Sequence, residues 1–77
     1  MAIGFVLIST EPGHEKDVYN NLLRLNQVQE LHPLFGEYDL IVKLEAQDFD
    51  SLGHLVVEKI RSIEGVKETK TLTGTKF

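Results

Sequence analysis

Few residues in this chain are able to do chemistry, and their spacing narrows what they can do. The three histidines are His14, His32 and His54. They fall at the start of one expected helix, on an expected strand, and on a second helix off its core stripe. No pair has the i, i+4 spacing that puts two metal ligands on one helix face. The absence of cysteine removes thiolate nucleophiles, thiolate metal sites and disulfides together. Ser9, Ser51 and Ser62 stand outside any glycine-framed nucleophile elbow. The six glycines are scattered singly, so there is no glycine-rich loop to cradle a phosphate. No catalytic residue, cofactor or metal is expected.

Three features keep a chemical reading beside a structural one. His32 or Asp39 acts as a general base if a pocket closes around it. Otherwise His32 is a half-buried edge-strand residue and Asp39 a turn-capping carboxylate. Asp39 follows Tyr38 directly after a tight turn, near a sheet edge that another subunit can approach. A carboxylate there suits an ammonium group, with hairpin backbone groups taking a carboxylate. Thr69, Thr71, Thr73 and Thr75 alternate along the last expected strand. Ordinary β-propensity accounts for them, and hydroxyls on an outer strand also suit a small polar site at a subunit junction.

The elements that must position these residues follow from periodicity. Residues 2–10 are rich in β-branched and aromatic types and end at Glu11-Pro12-Gly13, a turn signal. Val18, Leu22 and Leu25, with Tyr19 beside them, recur at helical spacing and predict a helix over 13–25. A second strand is expected over 28–35. Pro33 lies inside it and cannot donate to a ladder, which predicts a sheet edge or a bulge. Gly36-Glu37 suits a two-residue type II′ turn, and a third strand follows over 38–46.

Asp48 is placed to cap a second helix whose apolar stripe is Phe49, Leu52, Val56, Ile60 and Ile63. Gly65 stands where a left-handed cap is wanted, and 66–75 forms the fourth strand. The order βαββαβ predicts an α+β, ferredoxin-like sandwich with a four-stranded antiparallel sheet and both helices on one face. Strands one and three are then central, and strands two and four are edges.

Strand one is apolar on both sides, with Ile3, Phe5 and Leu7 facing one way and Ala2, Gly4, Val6 and Ile8 the other. Two helices cover only one face of such a sheet. The other face predicts a homodimer. Burying about 600 Å² more per subunit contributes on the order of 15 kcal/mol before association costs.

The composition agrees. With 77 residues the chain holds one domain, covering 1–77, close to the lower limit of independent stability. Twelve acidic against eight basic residues give a net charge of −4, which speaks against direct nucleic-acid binding. No long apolar run predicts a membrane span and no leader pattern opens the chain, so a cytoplasmic protein is expected.

The segment from Val28 through Gly36-Glu37-Tyr38-Asp39 to Lys43 resembles the effector domain of the Lrp/AsnC (feast/famine) regulators, whose pattern is strand, Gly-x-Tyr/Phe-Asp, apolar strand. Gly65-Val66-Lys67-Glu68-Thr69-Lys70-Thr71 is similar to the family's Gly-Val-x-x-Thr-x-Thr. The resemblance runs strand for strand over the chain and implies a stand-alone ligand-binding (RAM) domain without a helix-turn-helix. It further implies sheet-to-sheet dimers assembled into rings, octamers or decamers, with an amino-acid effector at dimer–dimer junctions, and co-assembly with helix-turn-helix relatives.

Carried over by motif, the ligand-binding residues are Gly36, Tyr38 and Asp39, joined by Leu72, Thr73 and Gly74. Gly36 allows close backbone approach, Tyr38 forms a wall and Asp39 meets the ammonium. Phe35 departs from the family, which often has Thr or Ser there; its bulk alters ligand preference or closes the pocket. The alternative from another class is a small enzyme of the dimeric α+β barrel type (monooxygenase- or isomerase-like), which shares this topology. It requires a cavity between sheet and helices with a His or Asp inside.

Overall fold

A computed structural model describes residues 1–74. Strand β1 (Ala2–Thr10) leads into helix α1 (Glu15–Leu23), then strands β2 (Val28–Pro33) and β3 (Leu40–Ala46). Helix α2 (Phe49–Leu55) continues into a π-helical turn (Val56–Ile60), and strand β4 (Val66–Thr73) follows. The sheet order is β2-β3-β1-β4 with every neighbouring pair antiparallel, the ferredoxin-like arrangement expected. Pro33 lies on an edge strand, and β2 carries a register shift between Val28 and Glu30. Thr75, the last of the alternating threonines, lies outside the described residues.

The even positions of β1 build the core. Val6 and Ile8 are wholly buried, joined by Leu40, Val42 and Leu44 of β3, Val18 and Leu22 of α1, and Leu52, Leu55, Val56 and Ile60 of the second helical segment. Gly4 sets the approach of α2: a Cβ there would stand 2.6 Å from Leu52 Cδ2.

The odd positions of β1 lie on the uncovered face. In register beside them are Ile41, Lys43 and Glu45 of β3 and Lys70 and Leu72 of β4. Ile3, Phe5, Leu7, Ile41 and Leu72 form an apolar diagonal across the sheet, with Ile3, Phe5 and Leu72 each 39–45% exposed. Glu30, on the same face, is bridged by His32 Nε2 at 3.2 Å and Lys43 Nζ at 3.4 Å, and these two partners hold its carboxyl below the usual range.

Boundaries differ from expectation for identifiable reasons. Helix α1 begins at Glu15, because His14 occupies the cap position without a capping side-chain bond, and it ends at Leu23 rather than Leu25. Strand β2 stops at Pro33, and the hairpin connection is the wider loop 34–39 rather than a two-residue turn. The Leu34 N–H donates to the Asp39 carbonyl at 2.8 Å to close that loop, while the Asp39 N–H turns across to the Ile8 carbonyl at 2.8 Å. Strand β3 begins at the next residue, Leu40, paired with Ile8. Gly36, with φ +145°, supplies the backbone turn.

Asp48 caps α2 as expected, accepting from the Ser51 N–H at 2.7 Å, and that bond lowers its pKa. Phe49 leaves the expected stripe and is 57% exposed, whereas Leu55 is buried. Apolar residues spaced by four drift about 40° per step around an α-helix. The π turn, closed by the Arg61 N–H donating to the Val56 carbonyl at 2.9 Å, restores that phase and returns Ile60 to the core.

Gly65 has φ +99°, and a Cβ there would lie 2.7 Å from His14 Cβ, an atom fixed close to the backbone. Gly65→Ala therefore combines left-handed strain with a clash and is expected to cost about 1–3 kcal/mol. Gly4→Ala crowds the end of the buried Leu52 side chain but carries no left-handed strain, and should cost less. Urea unfolding of both variants checks the order; equal or reversed losses contradict it.

Candidate functional site

Asp39 is built into the fold before it is available to a ligand. Its Oδ2 accepts from the Thr10 N–H at 2.8 Å and from Thr10 Oγ1 at 3.1 Å. Thr10 is 6% exposed, a buried polar residue at the end of β1 where the pairing with β4 shifts register. Asp39 thus satisfies two donors that would otherwise be stranded as the strand ends. The turn-capping reading of this carboxylate is realised through Thr10, a partner 29 residues away in sequence. Both bonds fall on Oδ2.

The hairpin loop and the following strand divide the predicted residues between two open clefts. Tyr38 lines a cleft of about 380 Å³ with Arg61, Val66, Lys67, Glu68 and Thr69. That size lies at the small end of small-molecule sites. Arg61 comes from the end of the π turn, and Lys67 places a second cation beside it. Asp39 lines a separate cleft of about 370 Å³ with Glu15, Lys16, Tyr19, Pro33, Leu34 and Leu40, on the α1 side. Gly36 stands exposed at the loop tip, with nothing within 4 Å of where a Cβ would be.

Leu72, Thr73 and Gly74 do not join these residues within one subunit. Thr73 pairs with Gly4, whereas Val66 pairs with Thr10 beside Asp39. The two pairings lie six positions apart along β1, roughly 20 Å at the usual strand rise. Leu72 and Thr73 also point to opposite faces: Leu72 pairs with Phe5 on the open face, and Thr73 with Gly4 on the helix side. The helices do not reach that margin, and Thr71 and Thr73 remain exposed. The predicted residues are therefore divided between the two ends of the sheet.

The remaining chemical candidates are placed outside any cavity. His32 is exposed rather than half-buried, pairing with Glu30 on the open face. The space between helices and sheet is filled by the apolar core, with neither His32 nor Asp39 inside it. No group of three or more His, Asp or Glu side chains positioned for a metal ion occurs among the described residues. Among them, no helix is long and apolar enough to cross a membrane. Sequence reasoning missed Thr10 and Arg61. Thr10 looked like a strand end, and Arg61 is brought beside Tyr38 by a π turn that no spacing rule announces.

Replacing Asp39 separates its two roles. Asp39→Ala strands the Thr10 amide and hydroxyl and is expected to destabilise the chain by about 1–3 kcal/mol. Asp39→Asn keeps an acceptor for Thr10 without the charge and should retain most of that stability. Thermal unfolding of the pair checks this; similar losses in both contradict the tie to Thr10.

Comparison with known proteins places this geometry. The Lrp/AsnC ligand binding domain family matches residues 3–75. An uncharacterized HTH-type transcriptional regulator of Pyrococcus furiosus is 35% identical over 73 residues, which is 91% of this chain and 49% of that protein. The chain thus spans about half the length of the curated relatives it matches. A hypothetical protein of Pyrococcus horikoshii has the same fold, with TM-score 0.90 and 35% identity, covering 100% of this chain and 93% of the other. A transcriptional regulator of Neisseria meningitidis, solved as a complex with L-Met, shares the fold at TM-score 0.82 and 20% identity, over 97% of this chain and 50% of the other. With its hairpin motif, its sheet order and a match running almost end to end, the chain belongs to the Lrp/AsnC ligand-binding domain family.

Proposed function

We propose that this protein is an effector-binding and assembly domain that takes an amino acid at a site completed by a second subunit, and that it serves regulation without contacting DNA through its own residues. The observation that carries this reading is that the expected ligand-binding residues lie at opposite ends of the sheet. A ligand reaching both must lie between copies of the chain. The open face supplies the first contact: its apolar diagonal of Ile3, Phe5, Leu7, Ile41 and Leu72 is suited to the same face of a partner. The family's rings, octamers or decamers, then supply the second contact, between dimers.

The chemistry of the hairpin supports an amino acid as effector. Asp39 offers a carboxylate whose intramolecular bonds use one oxygen, leaving the other to meet an ammonium. The Tyr38 cleft, where Arg61 and Lys67 stand beside Glu68, is separate from the Asp39 cleft, so the carboxylate of a ligand held at Asp39 falls to hairpin backbone groups. The fold shared with a regulator solved with L-Met supports the same ligand class. The net charge of −4 favours regulation through relatives that carry a helix-turn-helix over direct contact with DNA. An enzyme reading finds no support in a helix–sheet interface filled by aliphatic side chains.

Calorimetric titration of the full chain with each of the twenty amino acids tests the proposal. At least one is expected to bind saturably, and Asp39→Asn to weaken that binding about 10–100-fold while remaining folded. Absence of heat with all twenty, or full binding by Asp39→Asn, overturns it.

A further inference from the structure

Two local irregularities of the backbone converge on the cleft beside Tyr38. The first is the π turn of Val56–Ile60, closed by the Arg61 N–H, which brings Arg61 to the cleft wall. The second lies at the start of β4. Ser9 pairs with Glu68 and Thr10 with Val66, so Lys67 is the extra residue of a β-bulge. The bulge re-aims Lys67, which joins Arg61 in lining the same cleft. Both kinds of irregularity recur beside functional sites.

Core packing uses these irregularities too, since they seat Ile60 and Val66 against the core. It does not require cations at positions 61 and 67, where both side chains are exposed. The ion pairs among the described residues involve His32, Lys43 and His54, and neither Arg61 nor Lys67 has a carboxylate partner among them. Tyr38 and Thr69, both half-buried, add two hydroxyls to the lining. Glu68 borders the cleft as well, but it pairs with Ser9 in the open-face row of β1, whereas Thr69 pairs with Ile8 on the helix side. The cleft thus holds two cations against one carboxylate, in a chain of net charge −4. Like charges brought together without a counter-ion repel, and an anion seated between them removes that cost.

We propose that this cleft binds the phosphate group of a small phosphate monoester. The Arg61 guanidinium presents a planar fork that matches two phosphate oxygens, and Lys67 supplies a point charge for a third. The Tyr38 and Thr69 hydroxyls are the neutral donors. A carboxylate has two oxygens in one plane, which the Arg61 fork alone satisfies, so a phosphate makes fuller use of the donors present. The volume of about 380 Å³ leaves room beyond the phosphate for an organic group against the Tyr38 ring. The site lies within one subunit and uses neither Asp39 nor a second copy, so it goes beyond the effector reading above.

Calorimetric titration of the intact chain with phenyl phosphate, in phosphate-free buffer, tests the site. Saturable binding of one molecule per subunit is expected, weakened about 10–100-fold in Arg61→Gln and in Lys67→Gln. Lys59→Gln removes the same charge from the π turn outside the cleft lining and should bind as the unaltered chain does. Benzoate, a planar monoanion, should bind at least about tenfold more weakly than phenyl phosphate. Thermal unfolding of the three variants should match the unaltered chain, because none of these side chains has an ion-pair partner among the described residues. Absence of saturable heat, equal binding of benzoate, full binding by Arg61→Gln and Lys67→Gln, or an equal loss in Lys59→Gln overturns the proposal. Failure of the effector reading shows separately, as absent heat with every amino acid.

Discussion

The constraint on which the structure depends is the two-sidedness of β1. It lies between β3 and β4, donates its even side chains to the core and presents Ile3, Phe5 and Leu7 on the other face. With helices on only one side of a four-stranded sheet, this second apolar row has no cover among the described residues. Covering it with the same face of a second copy removes it from water at a gain of about 25 cal/mol per Å². Its flanks of Glu30, His32, Lys43, Glu45 and Lys70 are polar, as the rim of such a contact should be. A small chain without disulfides has few other sources of stability.

The second constraint is the end of β1, where Thr10 and Asp39 hold the hairpin in place. Asp39 donates its amide N–H to the Ile8 carbonyl and accepts at its carboxylate from Thr10, and so fastens to β1 the end of the loop that carries Phe35 and Gly36. The fold and the candidate site therefore share a residue. A substitution chosen to probe ligand binding at Asp39 must preserve its acceptor role.

Much of this was readable from residues alone. Alternation in β1 and β3, the helical spacing of Val18 and Leu22, the Asp48 cap and the left-handed Gly65 are local signals, and each appears in the structure. The position of Pro33 identified the edge strand because a missing N–H is a local fact with a global consequence. What escaped depends on contacts distant in sequence. The hairpin is wider than Gly36-Glu37 suggested, its far end fastened to β1 through Asp39. Phe49 leaves the core and Leu55 enters it, in a helical segment whose phase a π turn then resets. The separation of Asp39 from Leu72–Gly74 became visible only once the register of β1 with β4 was known, since motif order along the chain carries no distance between strands.

The central claim is that the open face of the sheet is buried against a second copy. Sedimentation equilibrium of the intact chain at micromolar concentration, beside Phe5→Lys, tests it most directly. The expected result is a dimer or larger species with no folded monomer, and a shift of the Phe5→Lys chain toward monomer with reduced stability. A compact, stably folded monomer for the unaltered chain would contradict it.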